Sequence, residues 1–234
     1  MHEREQVRSR IEQALDAADF PQALAAVGDI APKKRLAPLF SALLAPEPLR
    51  RWRAAVALGA AAADLAEAAP ESARDLWRNL MWRLNEESGT IGWGIPEVMG
   101  EALARSPFLA DAYHRILFGY VRELPGDSTF IDHEPLRRGV WWAIARLAAA
   151  RPVLVRREAL DVLYGALTDP DPTARGLACL ALSRLGRPAN SDIATRLTGL
   201  VGDRAELTLF ADDRLRETTV GALAGAALAS EGGV

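Results

Sequence analysis

The sequence predicts an all-α fold, a right-handed α-α superhelix of about five helical hairpins behind an N-terminal helical cap. Three observations predict it. An acidic residue followed four positions later by an arginine opens an alanine- and leucine-rich stretch at Glu47/Arg51, Glu134/Arg138, Asp171/Arg175 and Asp212/Arg216. A degenerate copy with Gly92 and Pro96 in those places lies between the first two. The copies recur at roughly 40 residues, a period that marks stacked helical hairpins. Apolar residues recur at helical spacing between them, and no run of strict alternation is long enough to argue for a sheet.

Each element follows from local signals. Residues 3 to 18 place Val7, Ile11, Ala14, Leu15 and Ala18 on one helical face. A short helix follows Asp19, an N-cap residue type, with Pro21 in its first turn, and ends near Gly28. Residues 34 to 44 form the first helix of the hairpin whose second helix carries Arg51. The next hairpin opens at Pro70, with Ala73, Leu76, Trp77, Leu80, Met81 and Leu84 as its apolar arc; Gly89 and Gly92 break it, and Pro96 starts the partner. Ser106-Pro107 opens a helix through Leu124, with its partner from Glu134. Pro152 opens the next, ending at Thr168-Asp-Pro-Asp-Pro, and Asn190-Ser-Asp opens the last, whose partner runs from Asp212 to about Ala229. The chain reads as a single domain: a cap over 1–33, repeats over 34–229 and a frayed tail over 230–234.

Composition narrows the function classes. Half of the 234 residues are hydrophobic, so a sizeable core is available. The net charge of −3 and pI near 5.7 give no global attraction for nucleic acid or an anionic membrane. Of the 28 basic residues only Lys33 and Lys34 are lysine, a bias expected from genomic base composition. The single Cys179 sits mid-helix among Leu and Ala as a buried thiol, and no Cys/His spacing fits zinc. No metal or cofactor is therefore expected. His114 is expected on a helix surface and His133 in a turn. The charged N-terminus lacks an apolar signal segment, and the run from Ala54 to Ala69 is too short and too interrupted to span a bilayer, so a cytoplasmic location is expected.

Within each second helix, the third, sixth and seventh positions after the arginine share one face: Ala54, Ala57, Leu58; Met99, Ala102, Leu103; Trp141, Ile144, Ala145; Ala178, Ala181, Leu182; Thr219, Ala222, Leu223. Small residues there allow close helix approach. The acid falls at the helix start, where it accepts backbone N–H bonds, and the arginine can pair with the acid of its own or the adjacent repeat, fixing register. The pattern resembles the HEAT-repeat superfamily, including the HEAT-like units related to phycobilisome-lyase repeats, most closely over Leu163 to Gly186. The resemblance implies a solenoid whose second helices line a concave face that binds proteins or peptides.

The copy that lost both charges marks the candidate site. Glu97 and Glu101 are one helical turn apart, and by repeat position they face the groove. Trp52 and Glu217 hold the equivalent of the Glu97 position in their own repeats, while Trp82, Glu86, Trp93, Trp142 and Arg146 complete an acidic and aromatic surface. Such a surface suits a cationic or aromatic ligand, or a basic peptide. Glu97 and Glu101 as acid and base of a hydrolase is the weaker reading, since such pairs are common on helix surfaces. The glycines around Trp93 fit neither a phosphate loop nor a dinucleotide fingerprint. The predicted function is a non-enzymatic scaffold for a protein or peptide partner. The alternatives are a DNA-base glycosylase similar to the HEAT-like alkylation-repair enzymes, disfavoured by the acidic groove, and a chromophore-lyase accessory protein.

Overall fold

The computed structural model describes residues 2–84, 92–126, 129–186 and 191–230. Thirteen helices and one β-hairpin are present among them: α1 (His2–Asp16), α2 (Phe20–Ala26), α3 (Pro32–Ala42), α4 (Pro48–Ala68), α5 (Pro70–Leu84), α6 (Ile95–Arg105), α7 (Pro107–Gly119), α8 (Glu134–Ala150), α9 (Pro152–Glu158), α10 (Leu160–Ala166), α11 (Pro172–Leu185), α12 (Ser191–Leu200), β1 (Glu206–Ala211), β2 (Arg214–Thr219) and α13 (Val220–Ala229). The architecture is that of an all-α solenoid. Two compact units divide the chain, one of residues 1–112 with 212–214, the other of residues 113–211 with 215–234.

In the first unit, α1 and α2 precede the hairpins α3–α4 and α5–α6. Asp19 caps α2 as expected, its Oδ1 accepting from the Gln22 amide at 3.0 Å. The second helices α4 and α6 lie side by side and parallel, because Ala55 adjoins Gly94 while Gly59 adjoins Val98 and Glu101. A Cβ on Gly59 would fall 2.6 Å from the Glu101 Cβ and 2.9 Å from the Val98 carbonyl, so only glycine permits this approach. Alanines surround the contact, which lets α4 be buried along most of its length.

In the second unit, α8, α11 and α13 pack as neighbours, and the first helix of the intervening hairpin is split at Ala159 into α9 and α10. The expected core positions are buried in the copies on α4, α6, α8 and α11. Three hydrogen-bond patterns define the repeat. Arg51 Nη1 donates to the carbonyls of Ala45 and Pro46, both at 2.9 Å. Arg137 Nη1 donates to Ile131 and Asp132 at 2.9 and 3.0 Å, and Arg175 Nη1 to Asp169 and Pro170 at 2.8 and 3.0 Å. Each arginine lies four residues after the N-cap and holds the turn before its own helix.

This geometry corrects the expected register of α8. Arg137, not Arg138, is equivalent to Arg51 and Arg175, because His133 is the N-cap and Glu134 the first helical residue. Arg138 instead pairs with Glu134 and, through two bonds of 2.9 and 3.1 Å, with Asp171 of the next repeat. Asp171 also caps α11 by accepting from the Thr173 amide, and Arg175 reaches Asp203 at 2.7 Å. The expected Glu47–Arg51 pair is not formed: Glu47 makes no side-chain cap bond and the arginine is committed to carbonyls.

The fifth copy is also corrected. Asp212 lies at the tip of the β-hairpin and Arg216 within β2, not at a helix start. Leu207 and Leu209 point inward between exposed Glu206 and Thr208, a period of two. Asp212 and Asp213 take φ of 48° and 58°, the left-handed conformation that a two-residue hairpin turn demands. Thr219 caps α13 instead, accepting from the Ala222 amide, and Ala222 is consequently exposed.

Gly59→Ala is expected to lower stability by about 1–3 kcal/mol, because Glu101 and the Val98 backbone must move. Gly165→Ala, in α10 with open space around it, is expected to raise stability by about 0.5–1 kcal/mol. Urea unfolding of both variants checks the pair.

Candidate functional site

The candidate site lies at the start of α6. Gly94 is its N-cap, at φ 75°, and Leu43 approaches so closely that a Cβ would lie 2.9 Å from its Cδ2. Pro96, in the first turn, needs no N–H partner there. Glu97 follows at the third helical position and Glu101 one turn later.

The two carboxylates sit in different surroundings. Glu101 is only 2% exposed, and its Oε1 accepts from Arg105 Nε at 2.5 Å. Glu97 is half-buried as a residue, but its Oε2 has no accessible surface and no hydrogen-bond partner. Burial therefore pushes the Glu97 carboxyl up to about 7, against a smaller lowering from its own backbone amide. Beside the same helix start, Trp93 is 42% exposed, and Trp52 is half-buried one turn before Ala55 on α4.

The first unit adds groups that the sequence did not single out. Arg53 is buried, with Nη1 donating to the carbonyls of Leu15 and Ala17 at 2.9 and 2.8 Å and its guanidinium 5.2 Å from the Phe20 ring centroid. The Asp213 carboxyl is held above the usual range, first by burial; Arg53 opposes this, while Asp212, Glu101 and Asp19 reinforce it. Leucines alternating before an Asp-Asp pair are the signal that would have revealed the hairpin tip.

The remaining expected residues divide. Trp82 stands out into solvent on the face of α5 away from Ala73, Leu76, Trp77 and Leu80. Glu86 lies outside the described residues. In the second unit Trp142 is not a groove residue: it is buried, its Nε1 donates to the Phe210 carbonyl at 3.1 Å, and its ring lies 6.4 Å from that of Phe210. It anchors β1. Arg146 is half-buried on α8, and Glu217 is exposed on β2, accepting from Thr208 Oγ1 at 2.8 Å. His114 is buried rather than on a surface, edge-on to Phe118. Burial pushes the Cys179 thiol up to about 12, so it holds its proton at neutral pH. Among the described residues no cluster of His, Cys, Asp or Glu is placed to hold a metal, and no helix is long and apolar enough to cross a membrane.

Residues 134–185, from the start of α8 to the end of α11, match the HEAT-like repeat family. The chain thus contains a HEAT-like repeat. Solved structures share its fold: one engineered protein from the Northeast Structural Genomics Consortium has a TM-score of 0.52 and 17% identity, covering 96% of this chain and 88% of that one. A second engineered protein from the same consortium has a TM-score of 0.53 and 16% identity, covering 97% and 90%. A designed armadillo repeat protein in complex with peptide (KR)4 is also similar, with a TM-score of 0.45 and 18% identity over 96% of this chain and 98% of that one. No curated protein matches the chain.

The matched HEAT-like repeat contains the Arg175 turn contacts and the Arg138–Asp171 pair, and Arg137 reaches from its first turn to the carbonyls just before it. These build the scaffold. The unusual chemistry lies on the earlier hairpin, at Glu97. Between its usual value near 4.5 and about 7, a folded Glu97 keeps a proton that the unfolded chain releases. Stability is therefore lost as pH rises through that window. Glu97→Gln is expected to remove this loss, gaining up to about 3 kcal/mol over wild type at pH 8 relative to pH 5. Urea unfolding at both pH values checks it; an equal wild-type-to-variant difference at the two would contradict the buried state.

Proposed function

We propose that this HEAT-like scaffold is non-enzymatic and binds a protein or peptide segment at the start of α6 in its first unit, with Glu97 receiving a basic side chain. The observation that carries the reading is the Glu97 Oε2, buried and without a hydrogen-bond partner. A carboxylate in that position is costly while empty-handed, and an ammonium or guanidinium arriving at the same carboxylate from its partly exposed side removes the cost. The binding energy is thus available only when the partner is present. Trp93, exposed beside it, offers an aromatic face to the same cation, and Trp52 supplies apolar surface on α4. Glu101 is held by Arg105 and sets the α4–α6 contact. A nucleic-acid groove would need cations where these two carboxylates stand.

The test is retention of an array of short peptides by the purified protein, read against affinity in solution. Peptides bearing Lys or Arg flanked by apolar residues are expected to bind best. Glu97→Gln is expected to weaken them about tenfold, and wild-type affinity is expected to fall as pH drops from 8 to 6 and Glu97 takes its proton. Equal affinity of wild type and Glu97→Gln would overturn the assignment.

A further inference from the structure

A second surface of the first unit lies on helices that carry none of these residues. A groove of about 790 Å³ runs between α1 and α3. Its floor is hydrocarbon, from Val7 on one helix and Ala37 and Pro38 on the other. Arg4, Val7 and Arg8 share one face of α1, and Lys33 and Ala37 one face of α3, so the walls are two helical ridges. The rim is cationic, on a chain whose net charge is −3. Lys34 is paired with Glu3 across the two helices, and Arg8 with Glu12 at 2.8 Å along its own. Arg4 and Lys33 have no partner among the described residues. The only two lysines of the chain both line this groove. Pro38 sits inside α3 and has no N–H to offer the Lys34 carbonyl.

We infer that the α1–α3 groove docks an acidic amphipathic helix of a partner protein. Charge complementarity decides the occupant: carboxylates flanking the partner helix meet Arg4 and Lys33, which also speeds encounter. The groove's span along α3, from Lys33 to Ser41, is about 12 Å, or two helical turns. That length suits apolar anchors at i, i+3 or i+4, and i+7, laid on Val7, Ala37 and Pro38. Nucleic acid fits less well, because no aromatic ring lines the groove to stack on a base.

The experiment is fluorescence anisotropy with a labelled helical peptide of about 20 residues bearing leucine anchors at that spacing and glutamate on both flanks. A scrambled peptide of the same composition and a single-stranded oligonucleotide of equal length are the comparisons. Wild type is expected to bind the helical peptide at least about tenfold more tightly than either, and more weakly as salt rises. The exposed substitutions Arg4→Glu/Lys33→Glu and the groove-filling Ala37→Gln are each expected to weaken it about tenfold, while Glu97→Gln leaves it unchanged. Failure of wild type to bind, equal binding of the scrambled peptide, tighter binding of the oligonucleotide, or variants as good as wild type would each overturn the inference. So would a wild-type dimer in sedimentation that Arg4→Glu/Lys33→Glu dissolves, since the occupant would then be a second copy. Circular dichroism checks folding of the variants, and the ranking of wild-type ligands stands without them.

Discussion

The second-helix arginine that grips the turn before its own helix is the interaction on which the repeats depend. A helical hairpin ends its first helix in carbonyls with no intrahelical donor, and the following turn adds more. Arg51, Arg137 and Arg175 each place one nitrogen between two such oxygens, so the turn is fixed to the helix that follows it. The same device recurs outside the repeat phrase. Arg53 ties the carbonyls of Leu15 and Ala17, Arg10 that of Ala26, and Arg122 that of Glu158. A guanidinium can serve carbonyls with one nitrogen and a carboxylate with another, as Arg175 does with Asp203, where an ammonium is a single point. The near-absence of lysine, read from the sequence as compositional bias, thus has a structural use at these turns.

The hairpin stack was legible because small and large apolar residues repeat at helical spacing, and buried positions such as Ala54, Leu58, Met99 and Leu103 follow from that spacing alone. Register was not. The pentapeptide Glu-Pro-Leu-Arg-Arg occurs at 47–51 and 134–138, yet the first copy uses Glu47 as N-cap and the second begins its helix with Glu134. The preceding turn decides. Ile131 is pinned by its amide to the Tyr120 carbonyl at 3.0 Å, and Phe130 lies under the Arg137 guanidinium, which selects Arg137 and frees Arg138 to reach Asp171. Identical residues in two tertiary settings cannot be told apart by spacing.

The β-hairpin shows a second limit. Asp212 and Arg216 fit the acid-arginine spacing, but the alternation of Leu207 and Leu209 before an Asp-Asp turn competes with it, and the pairing of two strands wins. One consequence is that Trp142, expected at the groove, is used to hold Phe210. At α6 the reading was closer. The sequence picked out Glu97 and Glu101 from the copy that lost its charges, but it could not distinguish a carboxylate held by Arg105 from one buried with an orphan oxygen. The burial of Glu101 follows the close α4–α6 approach at Gly59, which no local pattern announces.

The scaffold and its proposed site meet at α4: turns held by arginine set where α4, α8 and α11 begin, and the start of α4 sets which of its side chains reach α6. The most direct measurement is the unfolding free energy of Arg137→Met and Arg138→Met, each keeping the apolar stem and losing the donors, at low and at high salt. Loss of the turn contact is expected to cost about 2 kcal/mol for Arg137→Met and to persist in salt. Arg138→Met is expected to cost about 1 kcal/mol or less, falling as salt rises. A larger loss for Arg138→Met, or an Arg137→Met variant as stable as wild type, would contradict the account.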